Sequence, residues 1–147
     1  KVGSSIASEL GSMRVSEQLD ALEIMGVNSA SFLILPKIIA TIFFFPFLVI
    51  ISMGIGMIGA WIGGLSVDVT TADFLSGLKY DFNPFYVTYS LIKTVVFAFI
   101  IASVSSYFGY FTKGGSIEVG KSSTKAVVSS SILILVCNFI LTNLLLA

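Results

Sequence analysis

The chain has 147 residues, 56% of them hydrophobic and only 11% charged, with eight basic and eight acidic side chains giving zero net charge. A soluble domain carries about 25% charged residues, so much of this surface faces a solvent other than water. Zero histidines exclude a His-based triad and the usual zinc sites, the lone Cys137 excludes an internal disulfide, and the neutral balance gives nucleic acid no footing.

Residues 1–37 are the most polar part of the chain. Ile6, Leu10 and Met13, then Val15, Leu19 and Leu22, recur at the spacing of an amphipathic helix. Glu17, Asp20 and Glu23 form an acidic stripe at i, i+3 and i+6, and Gly26 offers a C-terminal cap. Two readings fit this pattern. One is a solvated face on a surface helix; the other is a docking helix that inserts Leu19, Leu22 and Met25 into a partner, with Glu17, Asp20 and Glu23 at the rim.

Three charge-free runs follow, Ile38–Leu65, Thr94–Thr112 and Ala126–Ala147. About 20 apolar residues cross a bilayer as a helix, so an all-α integral membrane protein with three transmembrane helices is expected, at about 38–65, 84–111 and 126–147. The first run is long enough to require a tilt or kink, and Pro46 supplies one. Gly54-Ile55-Gly56-Met57-Ile58-Gly59 spells a dinucleotide fingerprint. That fingerprint needs a preceding strand and a water-accessible helix terminus, which an apolar span does not provide. Gly56, Gly59, Ala60 and Gly63 instead give the small-xxx-small spacing of a close helix contact, within the subunit or across a dimer.

The segment 66–83 contains Thr70-Thr71-Ala72-Asp73, a capping box, followed by Phe74, Leu75 and Leu78 on one side of a short helix. Asn83 and Pro84 read as N-cap and N1 of the second span. Lys93 then lies inside that helix. It either snorkels to the headgroups or meets a carboxylate or a lipid phosphate. The segment 112–125, with Glu118, Lys121 and Lys125, reads as a solvated turn. In the last span Ser129, Ser130, Ser131, Asn138 and Asn143 are expected to bond between helices, with Cys137 as a small packing residue.

Lys1, Arg14 and Lys37 precede the first span, Lys113, Lys121 and Lys125 lie between the second and third, and only Lys79 lies between the first and second, beside Asp68, Asp73 and Asp81. The positive-inside rule therefore predicts a cytoplasmic N-terminal segment and 112–125 loop, with 66–83 and the C-terminus outside.

The run from Glu9 to Val27 with Leu35-Pro36-Lys37, the run Leu91–Phe97 with Gly109-Tyr110, and the run Gly120–Val128 with Ser130-Ser131 together closely resemble the MlaE-type permeases of bacterial ABC phospholipid transporters. The resemblance implies a non-catalytic permease subunit of the inner membrane that moves phospholipid between inner and outer membrane. It also implies a cytoplasmic ATPase partner, a periplasmic MCE-domain partner and a permease homodimer, with Glu17 to Met25 as the coupling helix. About five membrane helices are implied, so the chain, which starts at Lys1 without a methionine, reads as the C-terminal three plus the coupling region. The family's Arg-Glu-x-Gly-Pro stretch does not occur in it. No cofactor or metal is expected, and no G-x-x-x-x-G-K-[ST] loop occurs. An ion-coupled secondary transporter would need acidic residues in the charge-free runs, where there are none. A non-transporting assembly subunit would leave the acidic helix without an ATPase to dock on.

Overall fold

The computed structural model describes all residues, Lys1–Ala147, and they form six helices with no strand. These are α1 (Val2–Val15), α2 (Gln18–Ile24), α3 (Ser29–Leu65), α4 (Thr71–Tyr80), α5 (Pro84–Tyr110) and α6 (Ser116–Leu146). Helices α3, α5 and α6 are long and apolar enough to cross a membrane. Only 16 of the 147 residues are buried. The apolar flanks of the three long helices, including Phe43, Phe47, Ile58, Phe99 and Phe139, stay open, as lipid-facing helices require. The chain is an all-α, multi-pass membrane protein.

Helix α3 starts at Ser29 rather than Ile38, with the Asn28 side chain accepting from Ser31 N at 3.3 Å. Its 37 residues span about 55 Å at 1.5 Å per residue, more than the hydrocarbon thickness. The early start is possible because Lys37, the charge that seemed to mark the boundary, pairs with Glu9 at 2.7 Å. The helix runs through both Pro36 and Pro46. Helix α6 likewise starts at Ser116 rather than near Ala126, so most of the expected 112–125 loop is helical. There Lys121 and Glu118, three residues apart, pair at 2.7 Å and support the first turn. Asn83 and Pro84 begin α5 as expected, Asn83 Oδ1 accepting from Phe85 N at 3.0 Å. Thr70 caps α4 by accepting from Asp73 N at 3.2 Å. Trp61 Nε1 donates to Thr71 Oγ1 at 3.3 Å and ties α4 to the end of α3.

Helix α5 is central: α1, α3 and α6 all pack on it, and α1 also packs on α6. The α1 segment is thus no surface helix. Gly3, Ala7 and Gly11 share a face of α1 with buried Ile6 and Leu10; Gly3 meets Ser105 and Ile101 of α5, Ala7 and Leu10 meet Gly109 of α5, and Gly11 meets Thr112 and Val119 at the turn into α6. A Cβ on Gly109 would stand 2.7 Å from the Ala7 carbonyl oxygen, and one on Gly11 3.2 Å from Thr112 Oγ1 and from Val119 Cγ1. In lipid there is no hydrophobic force between helices, so association rests on such close approach. The close contact within the chain is therefore not at the glycines of α3. Gly56, Gly59 and Gly63 have open space where a Cβ would stand, and Ala60 is exposed.

Candidate functional site

The amphipathic period that runs from Ile6 to Leu22 is carried by two helices, and the expected Glu17 to Met25 helix is the second of them, α2. Helix α1 ends at Val15, and Glu17 takes a left-handed φ of 61° as the residue before α2. A non-glycine residue in that region costs about 1 kcal/mol or more. The turn is tied by Arg14, whose guanidinium pairs with Asp20 at 3.0 Å and lies 5.6 Å over the Tyr110 ring. Helix α2 has seven residues, too few to be stable alone. Its C-terminus closes in a Schellman motif: Val27 N donates to Leu22 O at 3.1 Å, Gly26 N donates to Glu23 O at 3.0 Å, and Gly26 has φ +80°. Asn28 then caps α3 directly.

Glu23 joins three helices. Its Oε1 accepts from Ser29 Oγ of α3 at 3.0 Å and from Tyr110 Oη of α5 at 3.2 Å, while Ser29 Oγ and Tyr110 Oη stand 3.0 Å apart. Ser29 is 1% exposed. Of the acidic stripe, only Glu17 lacks an internal partner, since Asp20 holds Arg14 and Glu23 holds Ser29 and Tyr110.

The apolar side of α2 also differs from the expectation. Leu19 is completely buried inside the chain and Leu22 is half-buried, so neither is the tip of a docking face. Met25 is 70% exposed, and Ile24, which the periodicity did not single out, is 86% exposed. With exposed Ala21 these two residues share a face at i, i+3 and i+4. The break at Glu17 turned the Leu19–Leu22 side inward and left Ala21, Ile24 and Met25 outside.

A second polar cluster sits in the first half of α5. Lys93 Nζ donates to Asn138 Oδ1 at 2.7 Å and to Thr142 Oγ1 at 2.9 Å, both on α6, and lies 4.3 Å from the Tyr89 ring centroid. Tyr89 Oη and Thr142 Oγ1 are 3.0 Å apart. Every partner of Lys93 within this chain is neutral, so its positive charge is solvated but not cancelled. Asn138 does bond between helices, as expected, whereas Ser131 bonds back to Val127 O and Ser130 Oγ is buried without a partner. Thr142 was not anticipated. It follows Asn138 by one helical turn, which is the spacing that lets both reach one ammonium.

No three His, Cys, Asp or Glu side chains lie together in a way that would hold a metal ion. What the arrangement presents is an exposed apolar face on α2 and, in the first half of α5, a cation held by neutral partners.

The family model described as Permease MlaE matches residues 1–144. The chain is 42% identical over 145 residues to a probable ABC transporter permease protein of Rickettsia bellii, covering 98% of this chain and 56% of that protein. It is 36% identical over 146 residues to a probable ABC transporter permease protein of Synechocystis, covering 99% and 56%. It is also 34% identical over 148 residues to the chloroplastic protein Trigalactosyldiacylglycerol 1 of Arabidopsis thaliana, covering 97% and 41%. The chain thus spans about half the length of the relatives it matches.

Proposed function

The chain belongs to the MlaE permease family, and we propose that it forms the ATPase-coupling and membrane-spanning part of an ABC permease subunit that moves phospholipid between the inner and outer membrane of a bacterium. The subunit does no chemistry of its own. ATP hydrolysis belongs to a cytoplasmic ATPase, and an MCE-domain protein receives or delivers lipid on the periplasmic side. The names of the bacterial relatives support the ABC permease assignment, and the galactolipid in the name of the Arabidopsis relative supports a lipid cargo.

The observation that carries the coupling role is the exposed pair Ile24 and Met25. A large apolar pair left open on a short helix, tied at both ends to the bundle and rimmed by Glu17 and Asp20, fits a helix seated in a groove of a partner. The basic content of the flanking segments supports a cytoplasmic position for this helix, where ATP is. Lys93 presents an uncancelled charge to a lipid phosphate, and the open row of Gly56, Gly59, Ala60 and Gly63 on α3 serves a contact between two permease copies.

Co-purification of the full-length subunit from membranes tests this reading. The ATPase and an MCE-domain protein accompany the parent. Ile24→Asp abolishes ATPase recovery at unchanged membrane insertion, because a carboxylate buried in that contact costs several kcal/mol, of the order of 2–7 for an unpaired polar group. Recovery of neither partner with the parent, or unchanged ATPase recovery with Ile24→Asp, overturns it.

A further inference from the structure

Tyr110 is the last residue of α5, and its hydroxyl makes the one hydrogen bond that joins α2 to α5. The rest of α2 is tied elsewhere: Asp20 to Arg14 of α1, and Glu23 to Ser29 at the start of α3. No backbone of α2 packs against α5. Yet the Tyr110 side chain reaches α2 in two ways. Its hydroxyl donates to Glu23, and its ring lies under Arg14, which itself holds Asp20. Three oxygens, those of Glu23, Ser29 and Tyr110, form a triangle with sides of 3.0 to 3.2 Å and two hydroxyl protons to share. A carboxylate that accepts both protons fixes the rotamers of all three side chains.

We propose that Tyr110 is a positioning residue that makes α5 follow α2, so that a displacement of α2 by its partner is delivered to the Lys93 end of the same helix. This rests on the reading of α2 as the ATPase-docking helix. Helix α5 is continuous from Pro84 to Tyr110, and the stretch from Tyr110 to Lys93 is roughly 25 Å of rigid rod at 1.5 Å per residue. The side chains at its two ends carry the polar contacts of α5 to other helices: Tyr110 reaches Glu23, Ser29 and Arg14, and Tyr89 and Lys93 reach Asn138 and Thr142. Between them its inward face is Ala98, Ala102, Ser105, Ser106 and Gly109, which pack closely without a polar anchor. No polar contact to another helix along this stretch has to break for a displacement at one end of the rod to reach the other. The role is positional: Tyr110 touches no cargo and takes part in no hydrolysis.

The test uses the full-length permease with its ATPase in nanodiscs, reading ATP hydrolysis and the transfer of a fluorescent phosphatidylethanolamine in parallel. Tyr110→Phe keeps the ring under Arg14 and removes only the hydroxyl. It retains the ATPase and hydrolyses ATP within about twofold of the parent, while lipid moved per ATP falls roughly fivefold or more, the lower range of measured coupling between sites. Glu23→Gln gives the same phenotype, and the double variant is no worse than the worse single one, as expected for residues acting as a unit. A second measurement needs no transport: nitroxides on cysteines placed at Ala21 of α2 and Tyr107 of α5, in a Cys137→Ser background, give a narrow distance distribution that broadens in Tyr110→Phe. If Tyr110→Phe does not insert, Ser29→Ala carries both measurements, since it opens the same triangle. An unchanged ratio of lipid to ATP, or an unchanged distance distribution, overturns the proposal. Absence of an ATPase from the parent complex instead overturns the docking reading, and the label distances still decide whether Tyr110 holds α2.

Discussion

A methyl group at Gly109 has nowhere to go. It would stand 2.7 Å from the Ala7 carbonyl oxygen, 2.9 Å from Leu10 Cβ and 3.0 Å from Ala7 Cα. Two of these atoms are backbone, so no rotamer change relieves the overlap and α1 must move off α5 by about half an ångström, which forfeits part of every contact along the seam. Overpacking of this kind costs about 1–3 kcal/mol, and rigid neighbours put it at the upper end. Alanine returns about 1 kcal/mol of helix propensity, leaving Gly109→Ala about 2 kcal/mol less stable than the parent. Two other glycines calibrate the estimate. At Gly3 the nearest atom is Ser105 Oγ at 2.8 Å, a side-chain hydroxyl that can turn away, so Gly3→Ala is close to neutral. At Gly56 nothing stands within 4 Å, so Gly56→Ala gains the helix propensity alone. Reversible unfolding in mixed micelles measures all three. A Gly109→Ala variant as stable as the parent, or less damaged than Gly3→Ala, would refute the claim that α1 and α5 meet backbone to backbone.

Gly26→Ala loses about 1–2 kcal/mol in the same assay purely through its φ of +80°, since no atom lies within 4 Å of the added methyl; no loss would mean that the α2 terminus relaxes. Lys93→Met lowers lipid transfer at unchanged expression and ATPase recovery, because the phosphate it is proposed to meet is left unpaired, and full transfer would reduce Lys93 to an anchor. A cysteine at exposed Ser76 in a Cys137→Ser background reacts with an impermeant thiol reagent added outside, and one at exposed Ser116 does not. The reverse pattern would put α2 out of reach of a cytoplasmic ATPase.

The spans were legible because hydropathy is a property of composition, which tertiary contacts do not alter. The caps at Thr70, Asn83 and Gly26 were legible because each is a local bond between near neighbours. The elbow at Glu17 was not. Nothing between Met13 and Gln18 is glycine or proline, and the apolar period runs straight through it, so the break is imposed by Arg14, Tyr110 and the burial of Leu19. The same event hid Ile24, because a stripe counted across a helix break points the wrong way. Gly3, Ala7 and Gly11 were in plain view at intervals of four, but their neighbours Ile6 and Leu10 dominate any hydrophobic count. The conspicuous glycines of α3 drew attention to a face that this chain leaves empty. Helices α3 and α6 start before their charge-free runs, because a helix continues through charged residues, and Lys37 and Lys121 are each paired with an acid there.

The seam between α1 and α5 also sets a problem of timing. Gly3 meets Ser105, and Ser123 donates to Ser4 O at 3.2 Å, so α1 rests on segments synthesised roughly a hundred residues after it. At ribosomal rates of about 5–20 residues per second, α1 waits some 5–20 s for the surfaces that bury it, while α3 has already emerged and can enter the bilayer alone. During that interval the face of α1 that carries Gly3, Ile6, Ala7, Leu10 and Gly11 lacks the neighbours in α5 and α6 that bury it. The seam between α1 and α5 is therefore closed only after α5 and the start of α6 have been made, however early α1 becomes helical.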